Sequence, residues 1–233
     1  MKHSHATTAI GALLAFNAGC IDAAGFLGLH GLFTAHITGN LATLCAAIVL
    51  GSHGIIGKIL ALPEFVVVLA LTRLADIGMQ ARKWPARDIL LAVEFALLAL
   101  FFALAIAFAP FSDFDGAPAL LTALAAIAAM AVQNDMQRAH LPDVAPTTFM
   151  TGNATHATLG AVGILTGDKP AQSKLYRTMF RCTAVNLVSF AAGCAVSALL
   201  YWKIGFWCLT LPLAVTLAAA GLIHTRGPRT HAV

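Results

Sequence analysis

One aspartate and two copies of one triplet are the residues best placed to do chemistry in an otherwise apolar chain. Asp22 stands inside a long apolar run, and Thr38-Gly39-Asn40 recurs as Thr151-Gly152-Asn153, 113 residues further on (Thr38 to Thr151). An ionisable side chain at bilayer depth costs several kcal/mol unless paired, so Asp22 is expected to bind a cation or proton, or to orient a solute. Thr and Asn side chains offer both donors and acceptors, and glycine permits close approach or unusual dihedrals. The triplet therefore suits a helix break that meets a permeant solute, with a helix N-terminus favouring an anion or a polarised molecule. The structural alternative is a short, capped, fully spanning helix whose glycine serves packing, with Asp22 protonated or bonded to Asn17.

Other polar residues fall near these. At the same offset Asp135 matches Asp22 and Thr147 matches Thr34, with Gln133 and Asn134 beside Asp135. Asp135 is expected to pair with Arg138, three residues on. Arg73 and Asp76 share a helical face, as a structural ion pair or as part of a pathway. Arg181 is expected to snorkel or to act as counter-ion to a core acid. Glu64 and Glu94 are expected at the membrane interface. His36 and His156, flanking the triplets, are read as structural or as proton relays. The nine histidines show no metal-ligand spacing. No nucleophile elbow, phosphate-binding loop or zinc-hydrolase motif is present, so neither an enzyme nor a metal or other cofactor is expected.

The elements that must position these groups follow from composition. Of 233 residues, 59% are hydrophobic and 10% charged, with a mean hydropathy of +0.83. A soluble domain carries about 25% charged residues and could not coat itself with so few. The runs are long and rich in Ala and Leu rather than alternating, which excludes a β-barrel and predicts an all-α, polytopic transmembrane bundle in a single membrane domain, 1–233. Eight stretches stand out, at 7–29, 34–50, 59–80, 89–109, 119–137, 147–165, 175–201 and 204–223. The second and sixth carry the triplets and are short of clean apolar length. The chain reads as two repeats, 7–109 and 119–223, each a span, a Thr-Gly-Asn segment and two further spans. The five cysteines all lie in apolar runs without a C-x-x-C pair and read as free packing residues. Lys2 ahead of an apolar run mimics a signal peptide, and Asn17 to Cys20 faintly resembles a lipoprotein cleavage site. Asn17 stands where such a site needs an aliphatic residue, so the first span is expected to stay.

Loop charge selects the topology. The net charge of +4 is read as cytoplasmic loops rather than nucleic-acid binding. If all eight stretches cross, the basic residues divide almost evenly. If both Thr-Gly-Asn segments enter and leave on one side, Lys2, Arg82, Lys83, Arg87, Arg138, Lys169, Lys174, Arg177, Arg226 and Arg229 share one face. Only Lys58 and Lys203 fall on the other. Re-entry of the sixth segment alone gives a weaker asymmetry of opposite sign and unequal halves. The preferred reading is six crossings plus two short broken or re-entrant helices, both termini cytoplasmic, the repeats inverted.

Asn17 to Phe26 followed by Thr38-Gly39-Asn40, and Gln133-Asn134 followed by Thr147-Thr148 and Thr151-Gly152-Asn153, resemble the YoaK-like family of uncharacterised bacterial multi-pass membrane proteins. The resemblance runs over nearly the whole chain and implies a bacterial inner membrane, but supplies no substrate or reaction. Asp135 departs from the small residue usual after the Gln-Asn pair. By analogy of plan alone, six spans and two Asn-bearing re-entrant segments are similar to the aquaporin-like and formate-channel arrangements. The expected function is a transporter or channel for a small solute, with Asp22, Thr38, Gly39, Asn40, Gln133, Asn134, Thr151, Gly152 and Asn153 along its path. The alternative is a non-transporting accessory or interaction protein whose polar motifs are structural. The expected partners are the lipid bilayer, the solute and, in an oligomer, further copies of the chain.

Overall fold

The computed structural model describes residues 5–167 and 170–225, with side chains at 170–172 excepted. The basic residues Lys2, Lys169, Arg226 and Arg229 lie outside the described residues. Among those described, the chain is helical: α1 (His5–Gly28), α2 (Gly39–Leu50), α3 (Ile55–Ala81), α4 (Ala86–Phe108), α5 (Ala117–His140), α6 (Met150–Leu165), α7 (Pro170–Ile204), a 3-10 turn (Gly205–Leu209) and α8 (Thr210–His224). Among the described residues, five helical stretches are long and apolar enough to cross a membrane: α1, α3, α4, α5 and the continuous stretch Ser173–His224 that holds most of α7 and all of α8. This marks a membrane protein, as the composition predicts. Helices α2 and α6, at 12 and 16 residues, are shorter. They span about 18 and 24 Å at 1.5 Å per residue, against a ~30 Å hydrocarbon core.

Two helices sit at the centre. Over their most apolar windows α1 and α5 are 67% and 61% buried, against 22% for α3 and 33% for α4. Their sequences explain this. Helix α1 is rich in Ala and Gly and α5 in Ala, so neighbouring backbones approach closely. Gly19 in α1 lies against the Phe190 carbonyl of α7, and Gly193 in α7 lies against the Phe16 carbonyl of α1. Ser197 Oγ donates to the Cys20 carbonyl (2.7 Å) and Cys20 Sγ to the Gly193 carbonyl (3.4 Å) across the same contact. Large apolar side chains, by contrast, point away from the bundle, as at Val67, Leu71 and Leu74 on α3 and Val188 and Leu199 on α7. Trp84, Trp202 and Trp207 are exposed near helix ends, where aromatic belts meet a membrane interface.

Helix directions follow from the contacts. Gly11 of α1 lies beside Asn186 of α7 and Cys20 beside Ser197, so these two run parallel. Asn17 bonds Thr216, and Ile10 packs with Ile223, so α8 runs against α1. The chain therefore reverses at the 3-10 turn, where Gly205 takes a positive φ of 57° that favours glycine. We call the end holding Gly28, the 109–116 loop and this turn the upper end. The end holding His5, the α3–α4 connection and His224 is the lower end.

Two apolar clusters fill the bundle. The upper one centres on Ile21, Phe101, Met130 and Phe206. The lower one centres on Leu14, Leu90, Met136 and Ile223.

Candidate functional site

The two triplet regions form matching folds-back at opposite ends. After α1 the chain turns through His30 (φ 54°) and Gly31 (φ 79°) and descends beside the helix it has just left. There Asp22 Oδ1 accepts backbone N–H bonds from Thr34 (2.8 Å), Ala35 (2.8 Å) and His36 (3.2 Å). One buried carboxylate oxygen thus satisfies three donors of a loop that has no ladder partner. Helix α2 starts at that depth and climbs back to the upper end. There Gly54 N–H donates to Asp115 Oδ2 (3.0 Å) and Lys58 Nζ to the His30 carbonyl (2.8 Å).

The second region repeats this from below. After α5 the chain turns at 141–143 and rises beside it. Gln137 Nε2 donates to the Val144 carbonyl (2.9 Å), Gln133 Nε2 to Thr147 Oγ1 (3.2 Å) and Asn134 Nδ2 to Thr148 Oγ1 (2.8 Å). Asn186 of α7 holds the rising segment through the Ala145 carbonyl (2.9 Å). Helix α6 starts at this depth and runs back to the lower end, where Gly160 and Gly163 pack against Phe180 and Tyr176 of α7.

The asparagines of the triplets clamp these loops. Asn40 Nδ2 donates to the Phe33 carbonyl (2.7 Å), and its Oδ1 accepts from Phe33 N–H (2.8 Å). Asn153 Nδ2 donates to the Pro146 carbonyl (2.6 Å), again seven residues back. Proline has no N–H to return, so Asn153 Oδ1 is buried without a partner. Gly39 and Gly152 lie close against the rings of Phe33 and Phe149. Helix α2 starts at Gly39, inside the first triplet, and α6 at Met150, just before the second, so most of the irregular backbone lies in the loops that precede the triplets. Thr38 and Thr151 are exposed.

Several expected pairings are corrected by the geometry. Asn17 does not reach Asp22; its Nδ2 donates to Thr216 Oγ1 (3.0 Å). Asp135 does not pair with Arg138, which bonds Asn134 Oδ1 (3.0 Å). It pairs instead with Arg73 of α3 (3.0 Å), because α3 and α5 run side by side and place the two residues abreast. Arg73 also holds Asp76 (3.3 Å), which further accepts from Gln80 Nε2 (2.8 Å) and contacts His140 Nε2 (2.8 Å). This makes a five-residue network near the lower end. Glu94 is not interfacial. It is the ninth of the 23 residues of α4 and fully buried, because α4 starts three residues earlier than the apolar run suggests. Glu64 is half-buried and ten residues into α3, which continues through Pro63. Lys58 is not a loop residue but is buried in the first turn of α3. His36, His156 and Arg181 are exposed.

One layer escapes the sequence reading. Asn17, Glu94, Gln133 and Thr216 are each at most 1% exposed, and each lies on its helix between residues of the upper and lower clusters. Their helices form a ring of contacts, α1 to α5 to α4 to α8 and back to α1. A separate cleft of about 440 Å³ lies at the upper end, lined by apolar residues such as Ile106, Phe111, Tyr201 and Trp207. It takes in none of these polar residues.

A helical membrane protein with a pair of short helices on clamped loops is the class these features define. The chain belongs to the DUF1275 family of proteins of unknown function, whose match covers residues 10–222. No curated protein and no solved structure matches it.

Proposed function

We propose that the chain is a membrane transporter or channel for a small solute, built from two inverted repeats of three crossings each. In this reading α1, α3, α4, α5, α7 and α8 cross, and α2 and α6 re-enter from opposite sides. The observation that carries it is the pair of short helices that start at depth on clamped loops and return to their end of entry. Irregular backbone at membrane depth is tolerated where it is enclosed by protein or lines a wet path, and transporters use such broken helices to meet solutes. The equivalence of Asn40 to Phe33 with Asn153 to Pro146, at one offset, supports a repeat. So does the pairing of central helices, since α1 packs on α7 as α5 packs on α3.

The outward faces add to this reading. Thr151, Thr155, His156 and Thr158 of α6 are exposed although α6 starts at depth. Thr155 and Thr158 return their hydroxyls to the Thr151 and Ala154 carbonyls (3.0 Å each), so His156 and Thr151 are the groups that favour a wet path, or cover by a second copy in a homo-oligomer. Thr38 and Thr151 stand at the helix starts, where N–H groups and dipole favour an anion or a polarised solute. Arg82, Lys83, Arg87, Arg138, Lys174 and Arg177 lie toward the lower end, which supports reading that end as the cytoplasmic one.

A second reading has its own observation. Asp22, Asn40 and Asn153 spend their hydrogen bonds on backbone clamps. That favours a non-transporting accessory protein whose polar motifs hold the bundle. Neither reading requires enzyme chemistry or a cofactor. Light-scattering swelling of proteoliposomes, tested with glycerol, urea, formate and ammonium, separates them. Transport predicts faster swelling than empty liposomes for at least one solute, slowed in Thr38→Val and Thr151→Val. Swelling equal to empty liposomes for all four contradicts a pathway for solutes of these classes.

A further inference from the structure

The buried layer between the two apolar clusters carries oxygens that the fold leaves unpaired. Thr216 donates its single hydroxyl proton to the Pro212 carbonyl (2.9 Å), so toward Asn17 it can only accept. Asn17 must therefore present its NH2 there (3.0 Å), which leaves Oδ1 without a partner. Gln133 is oriented by the same logic. The Leu14 carbonyl (3.3 Å) is an acceptor only, so Gln133 presents its NH2 and its Oε1 is unpaired. Both oxygens of Glu94 are also buried without partners. The native rule is that such atoms are satisfied, so four unpaired oxygens in one layer require an explanation.

Their heights agree. Gln133 reaches the carbonyl one turn before Ala18, which is level with Asn17. Asp88 of α4 and His224 of α8 approach at the lower end (3.6 Å). Six residues inward along each antiparallel helix are Glu94 and Ala218, half a turn from Thr216. The four residues thus lie within about one helical turn of one another in height in the α1–α5–α4–α8 ring.

The charge count selects the occupant. On the helices that pack against α4, the ionisable groups are already placed. Arg73, Asp76, Asp135 and His140 bond one another, Arg138 bonds Asn134 and His224 faces Asp88. Lys58 is held at the upper end of α3 by two carbonyls. Glu64 lies about two turns above Arg73 on α3 and is another acid. No cation among these is bonded to Glu94. A single carboxylate at this depth is balanced by one positive charge, and a divalent ion would leave one in excess.

We infer that Glu94, Asn17 and Gln133 form a buried site for a small monovalent metal cation, which replaces the proton of the Glu94 carboxyl. On binding, the carboxyl O–H bond breaks, its proton leaves to solvent, and the cation takes its place between the carboxylate and the amide oxygens. Oxygen donors of this hardness suit an alkali cation. This inference does not depend on solute transport, because it is read from binding alone.

The test is proton release from the purified full chain in weakly buffered detergent, followed with a pH dye. Sodium and potassium chloride are added in separate arms, with choline chloride matched for ionic strength. The site predicts release of about one proton per chain, saturating with one or both metal salts and absent with choline. Glu94→Gln, of the same shape, abolishes the release. Asn17→Leu keeps the stoichiometry but weakens apparent affinity at least about tenfold, which is a readout available if Glu94→Gln fails to fold. Equal release with choline, release persisting in folded Glu94→Gln, or no release from the wild type between pH 6 and 9 would each overturn it.

Discussion

Replacing each triplet asparagine by alanine should cost the two halves unequal amounts. Asn40→Ala removes both the donor to the Phe33 carbonyl and the acceptor for Phe33 N–H. That leaves two backbone groups unpaired in a partly buried loop. At about 1–3 kcal/mol for each stranded group, the loss is about 2–6 kcal/mol. Asn153→Ala strands less. The Pro146 carbonyl keeps a bond from Asn186 Nδ2 (3.3 Å), and there is no proline N–H to lose. The substitution also removes the unpaired Asn153 Oδ1. A loss of about 1 kcal/mol or less follows. Thermal unfolding in detergent, followed by tryptophan fluorescence, measures both. Equal losses, or a larger loss for Asn153→Ala, would refute the clamp argument. Asn153→Ala combined with Asn186→Ala should exceed the sum of the single losses, because the pair shares one carbonyl.

Three further outcomes follow from the packing and the charge network. Asp22→Ala frees three loop N–H groups at once and should destabilise more than Asp22→Asn, which keeps one acceptor oxygen; hydrogen exchange at residues 34–36 checks it by faster exchange in the alanine variant. Gly19→Leu and Gly193→Leu push α1 and α7 apart and should each lower the melting temperature by an amount equivalent to about 1–3 kcal/mol or more, whereas Gly221→Leu, in open space, should change it little. Arg73→Met leaves Asp135 and Asp76 without their shared cation, so adding Asp135→Asn should restore part of the lost stability, by about 0.5–3 kcal/mol in a double-mutant cycle.

The long apolar helices were legible because hydropathy and length report them directly, and the two short helices were legible because polar residues interrupt 34–50 and 147–165. A match between the halves was visible in one triplet and a few positions, and the asparagine-to-loop bonds lie at that same offset. What the triplets do was less visible. Asn40 and Asn153 point at their own loops, which no spacing rule distinguishes from pointing at a solute. Long-range pairs such as Arg73 with Asp135 and Asn17 with Thr216 depend on which helices are neighbours, and local spacing favoured Arg138 and Asp22 instead. Glu94 was misplaced by a helix boundary. Its run begins at residue 89 by hydropathy, but α4 opens at Ala86 with the polar pair Arg87 and Asp88, and the extra turn moves Glu94 inward.

The side on which the short helices α2 and α6 emerge tests the inverted arrangement most directly. Single cysteines at Ser52, after α2, and at Ser173, near the start of α7, are introduced into a chain whose native cysteines are replaced. They are then probed in intact cells with a membrane-impermeant maleimide. Re-entry of α2 and α6 from opposite faces predicts that Ser52→Cys labels from outside and Ser173→Cys only after permeabilisation. Labelling of both positions from the same side would mean that at least one of the two segments crosses, and would contradict the inverted repeat.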